Sequence, residues 1–240
     1  MSRIPAVVIT GPGTNRDHDV ALALELAGAE VRIVRANELI TSPRYLDDAR
    51  IAVVAGGFSY ADSLGAGRMM ALDLTLGLGD RLHEFVGRGR PLLGICNGFQ
   101  VLSRTSLIPG ALGHNAQGVF DCRWVVLDRA AKSNSIWTKG IDDPIHCPIA
   151  HGEGRYVHPD PASLEAAGQV ALRYRSTNPN GSVDDIAGVS DPSGMVLGLM
   201  PHPENHIVAR QHPHYRRGGG GPSHLGLRIF EAGVAHAKQR

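Results

Sequence analysis

Short apolar runs alternate with amphipathic stretches in the first half of the chain. Residues 6–10, 31–34, 51–55 and 92–95 are mostly apolar, and most are β-branched or leucine, a pattern typical of strands buried on both faces of a parallel sheet. From Asp17 apolar residues recur at helical spacing, and Gly28 is placed to end that helix. Strands that alternate with helices favour βαβ units. The pattern therefore predicts an α/β fold with an open, mostly parallel sheet flanked by helices.

The second half of the chain has a different pattern of apolar and turn residues. Residues 124–127, 170–174, 186–189 and 195–199 read as short strands separated by turn sequences rich in Asn, Pro and Gly. They predict antiparallel ribbons appended to the main sheet or completing it. Ser223 is the predicted cap of a last amphipathic helix, and the glycines at 218–221 are predicted to form a flexible loop. Without an internal repeat, residues 1–240 are interpreted as a single domain.

Composition and charge exclude several classes of function. The formal net charge is +1, and no basic stripe with interleaved aromatic residues points to nucleic acid. No apolar run approaches the roughly 20 residues that span a bilayer, and the N-terminus lacks a signal-peptide core. The cysteines at 96, 122 and 147 show no C-x-x-C spacing, which argues against a zinc site or a disulfide framework. These features predict a cytoplasmic protein without a metal site.

Cys96 is the most informative residue. It lies in Gly94-Ile95-Cys96-Asn97-Gly98, after an apolar run and before a helical pattern, which is typical of a strand-to-helix nucleophile elbow. The sharp turn needs the glycines, and the start of a helix favours a thiolate. A buried structural cysteine between turn glycines is the alternative.

A thiol nucleophile needs a base, and the base needs an orienting group. His202 lies between two prolines, and Glu204 follows the second one. The prolines favour an extended backbone, which would project both side chains to the same side. A solvated surface turn is the alternative for this tripeptide. The amides of Gly57 and Asn97 are the predicted oxyanion hole, although the Gly56-Gly57 pair also fits a plain tight turn.

These motifs together resemble the class I glutamine amidotransferases, and more narrowly the glutaminase subunits of phosphoribosylformylglycinamidine synthases. The resemblance rests on the segments 94–100, 56–60 and 201–204, and on the more specific segments 12–15, 110–112, 122–124, 151–156 and 178–182. It covers almost the whole chain. Departures occur at Arg16, at 62–65, at Asn205 and in the long segment 206–222. They leave the predicted triad intact and concern the docking surface.

The resemblance implies that Cys96 attacks the side-chain amide of glutamine, with His202 and Glu204 as its partners. It also implies glutamine contacts from five residues that follow strands or turns, namely Phe58, Gln100, His151, Gly152 and Glu153. The released ammonia would pass to a synthetase subunit that binds ATP and magnesium, with a small bridging subunit joining the two. The chain itself would need no cofactor, and it contains no P-loop motif.

Other readings stay open at this point. The ammonia could serve a different acceptor, since acceptor chemistry would lie on the partner. Cysteine peptidase-like and stress-response proteins also use a nucleophile elbow, but they generally have histidine where Asn97 stands. A non-catalytic scaffold has no reason to keep Cys96, His202 and Glu204 together. A metal site formed by His206, His212, His214 and His224 is disfavoured because this segment also reads as a cationic loop.

Overall fold

Most strands of the protein join one continuous sheet. The computed structural model describes residues 3–218 and 221–239. Its strands, numbered along the chain, are β1 (Ile4–Thr10), β2 (Ala29–Arg35), β3 (Ile51–Val54), β4 (Leu92–Ile95), β5 (Ala111–Gly113), β6 (Asp121–Arg129), β7 (Ile145–His151), β8 (Arg155–Val157), β9 (Val170–Tyr174), β10 (Ile186–Ser190) and β11 (Val196–Leu199). Its α-helices are α1 (Asp17–Leu26), α2 (Ala36–Thr41), α3 (Arg44–Asp47), α4 (Arg68–Leu78), α5 (Arg81–Gly87), α6 (Asn97–Arg104), α7 (Pro161–Ala166) and α8 (Leu227–Lys238).

The sheet is parallel in one half and antiparallel in the other. Its nine strands lie in the order β2-β1-β3-β4-β11-β10-β9-β6-β7, and β5 pairs with β8 in a separate ribbon. Strands β2, β1, β3, β4 and β11 are mutually parallel, whereas β10, β9, β6 and β7 continue the sheet in antiparallel pairs. The predicted fold class is therefore confirmed. One detail differs: β11, expected in an antiparallel ribbon, also pairs in parallel with β4 and so extends the parallel half.

Helices cover both faces of the parallel half. Helices α1 and α8 contact each other and β1 on one face, while α6 packs on β3, β4 and β11 on the other and is joined there by α4. Every residue of β3 and β4 is buried. Removing one such aliphatic side chain from water stabilises a fold by about 1.5–3 kcal/mol. The carboxyl ends of these central strands are thus held on a tightly packed support.

The C-terminal helix begins later than its sequence predicts. Ser223, the predicted cap, lies in a short 3₁₀ turn, Pro222–His224, and α8 starts after Gly226. The reason is tertiary: the Gly226 amide donates to the His206 carbonyl at 2.8 Å, which ties the chain to another segment before the helix begins. The predicted loop at 218–221 lies partly outside the described residues, since 219 and 220 are not described.

No helix within residues 3–218 and 221–239 combines the length and the apolarity that a membrane span requires.

Candidate active site

Cys96 occupies a strained turn between β4 and α6. Its backbone has φ 51° and ψ −106°, a conformation that costs a residue with a Cβ of the order of 1–3 kcal/mol. The neighbouring glycines make the turn sterically possible. A Cβ on Gly94 would lie 2.6 Å from the Gly98 carbonyl oxygen, and one on Gly98 would overlap the carbonyl of Val54. The predicted nucleophile elbow is therefore present. Both of its glycines are required by close backbone packing as well as by the geometry of the turn.

The sulfur of Cys96 lies at the N-terminus of α6. Cys96 is the residue immediately before the helix, so the helix dipole and the unpaired first amides favour negative charge on its sulfur. The thiol donates to the Ala150 carbonyl, at 3.9 Å. The side chain is 5% exposed but reaches a surface cavity. This cysteine is therefore neither an inert core residue nor a freely solvated one.

His202 follows the carboxyl end of β11, far from Cys96 in the sequence, and lies at the same edge of the sheet as Cys96. Its backbone amide donates to the Pro148 carbonyl at 2.8 Å. A Cβ on Gly56 would lie 2.9 Å from Cε1 of His202 and 3.4 Å from Cβ of Cys96, so only a glycine fits between the two side chains. Both side chains therefore lie within 3.4 Å of one point, and the charge of Cys96 acts directly on the imidazole. The structure thus brings together the thiol and the base that the sequence proposed.

Glu204 orients the imidazole. Nδ1 of His202 lies 2.6 Å from Oε1 of Glu204, which leaves Nε2 for the sulfur. Burial disfavours a charged ring, but the Glu204 and Cys96 charges and the hydrogen bonds to both outweigh it and raise the pKa of His202 to about 10. The contact is as predicted, yet its backbone is not extended: Pro203–Asn205 forms a 3₁₀ turn, which brings the carboxylate to Nδ1 of the ring.

A second buried cysteine lies nearby and behaves differently. Cys147 on β7 is fully buried, and burial together with the charge of Glu204 raises the pKa of its thiol well above the usual value. It therefore remains a neutral thiol. Only Cys96 has both a helix N-terminus and a cation beside its sulfur, so the chemistry is confined to one of the two buried thiols.

The two residues predicted to form an oxyanion hole lie close to Cys96: Gly57 lines the same cavity, and Asn97 follows Cys96 in the chain. Gly57 follows β3 with φ 142°, and a Cβ there would lie 2.6 Å from the Asn15 amide nitrogen. The Asn97 amide is the first of α6. Among the described residues neither amide has a hydrogen-bond acceptor. Two unpaired N–H groups near one nucleophile suit an oxyanion hole, and that role for Gly57 and Asn97 stays a prediction.

The cavity beside Cys96 measures about 220 Å³. All five residues expected to contact glutamine line it: Phe58, Gln100, His151, Gly152 and Glu153. Its lining also includes Asp62, His114, Val119 and Phe120, which the sequence did not single out as site residues. The rings of Phe58 and Phe120 stack at 6.3 Å and both side chains are exposed, which places an apolar rim on the cavity.

An amide network connects the cavity wall to the start of α6. Gln100 donates from Nε2 to the Glu153 carbonyl at 2.7 Å and accepts from Asn97 Nδ2 at 2.9 Å. Asn97 Nδ2 also donates to Asp62 Oδ1 at 3.2 Å. Burial, followed by the charge of Glu153, raises the pKa of Asp62. Two neighbouring carboxylates in a partly buried cavity create a site that favours a cation.

His151 lines the cavity, and its ring is held by the side chains of Asn115 and Asn180. The sequence suggested a loop for residues 151–156, but His151 is the last residue of β7. Its Nδ1–H donates to Asn115 Oδ1 at 3.1 Å. Its Nε2 lies 3.5 Å from Asn180 Nδ2, which donates to the Gly154 carbonyl at 2.8 Å and to the Tyr174 hydroxyl at 3.2 Å. Burial and the nearby His202 lower its pKa to about 4. The ring is therefore neutral, with Nδ1 hydrogen-bonded and Nε2 next to the Asn180 amide.

The histidines of the C-terminal segment cluster on β7, away from the cavity. Rings of His206, His212 and His224 contact one another or His146 at centroid distances of 4.6–5.5 Å. Within residues 3–218 and 221–239 no group of three or more His, Cys, Asp or Glu side chains has the arrangement of a metal site. The cluster is a packing arrangement of stacked, hydrogen-bonded rings.

Comparison with known proteins agrees with this geometry. A model for the CobB/CobQ-like glutamine amidotransferase domain matches residues 3–237. The chain is 45% identical to phosphoribosylformylglycinamidine synthase subunit PurQ of Treponema denticola, over 86% of this chain and 89% of the relative. It is 37% identical to the subunit of the same name from Dehalococcoides mccartyi, over 100% of both.

A solved structure has the same architecture. The chain superposes with a TM-score of 0.80 on a chain of the structure of PurLQS from Thermotoga maritima, at 35% identity, covering 98% of this chain and 99% of the other. The resemblance read from the motifs is thereby confirmed. On its matching family model, its curated relatives and its fold, the chain belongs to the CobB/CobQ-like glutamine amidotransferases.

Proposed function

We propose that this chain is the glutaminase subunit of a phosphoribosylformylglycinamidine synthase in purine biosynthesis. It hydrolyses glutamine to glutamate and ammonia and supplies the ammonia to a synthetase subunit. The observation that carries the proposal is the meeting of Cys96, His202 and Glu204 at the carboxyl ends of β4 and β11. Family membership and relatives bearing the subunit's name support it.

In the first half of the reaction the Cys96 thiolate attacks the side-chain amide carbon of glutamine. The developing oxyanion accepts hydrogen bonds from the amides of Gly57 and Asn97, each worth about 2.7–4 kcal/mol in comparable enzymes. His202, protonated because Glu204 and the thiolate stabilise its charge, gives a proton to the departing nitrogen. The C–N bond breaks, ammonia leaves, and a γ-glutamyl thioester remains on the sulfur.

In the second half the neutral imidazole of His202 takes a proton from water. The resulting hydroxide adds to the thioester carbon, the C–S bond breaks, and glutamate leaves with the thiolate restored. Oε1 of Glu204 lies 2.6 Å from Nδ1 of His202 and keeps that nitrogen protonated in both halves of the reaction. Nε2 is therefore always the nitrogen that faces the sulfur. A single imidazole thus serves as acid and then as base.

The carboxylates of Asp62 and Glu153 give glutamine its orientation in the cavity. Among the described residues that line the cavity there is neither lysine nor arginine, so its net charge favours the α-ammonium group at this end. Gln100 holds Glu153 through its carbonyl, and Phe58 covers the mouth. This arrangement leaves the side-chain amide directed toward Cys96.

The partner is a synthetase subunit that carries the ATP and magnesium chemistry, with a small bridging subunit between the two chains. The similar chain from Thermotoga maritima belongs to the structure of PurLQS, which supports an assembly of this kind. All three cysteines are free, which supports the proposed cytoplasmic location. The continuous nine-stranded sheet supports the prediction of one domain over residues 1–240.

The deciding experiment uses the assembled complex with Cys96→Ala. Glutamine-dependent amidine formation should fall to background, while formation from added ammonium salt should stay within about twofold of the parent complex, because the synthetase is untouched. Cys147→Ala is the matched control at the other buried thiol and should keep glutamine-dependent turnover. Persistent use of glutamine by the Cys96 variant would refute the nucleophile and the proposed activity.

A further inference from the structure

The outer edge of β7 is capped by side chains and amides from other segments. β7 is the last strand of the sheet, so every second carbonyl points away from β6. His224 Nδ1 donates to the Pro144 carbonyl at 2.8 Å, His206 Nδ1 to the His146 carbonyl at 2.6 Å, and the His202 amide to the Pro148 carbonyl at 2.8 Å. The next carbonyl, Ala150, accepts from the Cys96 thiol. Two prolines remove edge donors at this strand.

Two of these bonds, those of the His202 amide and the His206 ring, fix the catalytic turn at its two ends. The turn begins at His202, held on the Pro148 carbonyl, and finishes at His206, held on the His146 carbonyl two residues away. Glu204 lies midway between these anchors. The two attachments therefore determine where the His202–Glu204 pair stands relative to Cys96, whose sulfur lies 3.9 Å from the Ala150 carbonyl oxygen at the same strand edge.

His206 is held more firmly than a surface histidine. Its side chain is fully buried, and its ring packs edge-on against Trp124 at 5.2 Å. Its amide donates to the Pro203 carbonyl at 3.1 Å, and its own carbonyl accepts from Gly226 at 2.8 Å. A Cβ on Gly226 would overlap the Pro203 carbonyl, so the start of α8 is pressed directly onto the catalytic turn.

We propose that His206 is a positioning residue for the glutaminase reaction: it anchors the end of the His202–Glu204 turn to the edge of β7 and so keeps the imidazole in line with the sulfur of Cys96. The inference rests on the proposed function and deepens it. Misplacement of a reacting group by about 1 Å can reduce a rate by about 10²-fold. Loss of this one anchor should therefore appear in kcat rather than in the affinity for glutamine.

The chemistry of the ring explains why a histidine stands here. The carbonyl of His146 can only accept, so Nδ1 of His206 carries a proton. Burial lowers the pKa of the ring, which keeps the side chain neutral. A neutral side chain with a donor at the Nδ1 position is what the site requires. Asparagine places its amide nitrogen close to that position, whereas glutamine places it near Nε2.

The test compares His206→Asn with His206→Gln in the assembled complex. Both are neutral, polar and close in size, so a folding defect should affect both alike. The Asn variant should keep kcat for glutamine within about threefold of the parent, and the Gln variant should lose about 10- to 100-fold with KM within about twofold. Ammonia-dependent synthesis should be unchanged in both. His224→Gln removes an equivalent bond, to the Pro144 carbonyl, which does not hold the catalytic turn, and should keep kcat within about threefold.

Equal kcat in the two His206 variants, or a loss that appears only as a higher KM, would overturn the positioning role. A loss in His224→Gln as large as in His206→Gln would also overturn it, since it would mean that general stability of the segment is responsible. The inactive Cys96→Ala complex separates these results from a failure of the proposed function. If that complex is inactive with glutamine while both His206 variants turn over like the parent, only the anchor is wrong.

Discussion

Nδ1 of His202 and Oε1 of Glu204 lie 2.6 Å apart in a site that excludes water, with the two side chains 3% and 0% exposed. Ion pairs this deeply buried are costly to desolvate, and they persist when further charges or hydrogen bonds compensate. The compensation here comes from Cys96, whose charge acts on the same ring. The charges of the three groups therefore depend on one another, and substituting one residue should change the electrostatic environment of the other two.

Glu204→Gln tests that unit. The amide keeps the size of the side chain and can still contact Nδ1, but it no longer stabilises the imidazolium or enforces the Nδ1–H tautomer. We expect kcat for glutamine to fall by about 10²- to 10⁴-fold, as for amide substitutions in other triads, with ammonia-dependent synthesis retained. Steady-state kinetics of the assembled complex measures both. Turnover within threefold of the parent would mean that Glu204 only packs against the ring.

The elbow glycines lead to a prediction about folding. A Cβ on Gly98 would overlap the Val54 carbonyl oxygen, which belongs to the backbone of a central strand and cannot move aside. Gly98→Ala should reduce the free energy of unfolding by about 2–4 kcal/mol, within the range typical of severe core substitutions. Gly87→Ala is the control, because a Cβ there meets nothing within 4 Å. It should be neutral or stabilising by up to about 1 kcal/mol in urea unfolding.

Asp62→Asn should weaken substrate binding more than turnover. The substitution removes one of the two negative charges that face each other in the cavity, yet Asn can keep the hydrogen-bonding partner of Asn97. If the pair binds the α-ammonium of glutamine, KM should rise about tenfold with kcat within about threefold. Glutamine titrations of the complex decide this. An unchanged KM would assign Asp62 to the support of Asn97 alone.

The triad could be predicted from the sequence because each member lies in a short motif with its own local constraint. Cys96 is marked by its flanking glycines, and His202 and Glu204 by their prolines and by their closeness in the chain. The predicted backbone between the last two is wrong in detail: a 3₁₀ turn replaces the expected extended segment. The contact survives this error because two residues of separation allow it in either conformation.

The supporting residues could not be predicted in the same way. Asn115 and Asn180 hold His151 from loops that tertiary structure alone brings together. Asp62 has φ 53° in a loop with several positive φ angles, which no local pattern indicates. The strand β7 escapes prediction because prolines at 144 and 148 interrupt its pattern, although an edge strand tolerates proline. That edge is the one that carries the catalytic turn.

The cap of the last helix shows the same limit. Ser223 satisfies the residue preference for a cap, but the chain around Gly226 is held by the His206 carbonyl and by close packing on Pro203. Local preference yields here to a tertiary hydrogen bond. Helix α1 begins at Asp17 as predicted, and at its end the Gly28 amide, with φ 98°, donates to the Glu25 carbonyl of the same helix at 3.0 Å.

Buried neutral histidines should make the fold sensitive to acid. The pKa of His151 is about 4 because burial and the nearby His202 disfavour its charge, whereas an unfolded histidine titrates near 6.5. Above about pH 6.5 the ring is neutral in both states, and its titration does not reduce the free energy of unfolding. Between about pH 6.5 and 4 the unfolded chain binds a proton that the folded chain does not, so stability falls as the pH falls, by about 1.4 kcal/mol per pH unit and about 3 kcal/mol in all.

His202 does not offset this loss, because its pKa of about 10 confines its own linkage to higher pH: it stabilises fully below about pH 6.5, and that contribution declines as the pH rises toward 10. Urea unfolding of the chain at several values between pH 7 and 4.5 measures the slope. His151→Gln, neutral at every pH, should reduce the slope by about one proton, while His18→Gln at an exposed position should leave it as in the parent. An unchanged slope in the His151 variant would show that its ring is protonated in the folded protein, and would require a different pairing with Asn115 and Asn180.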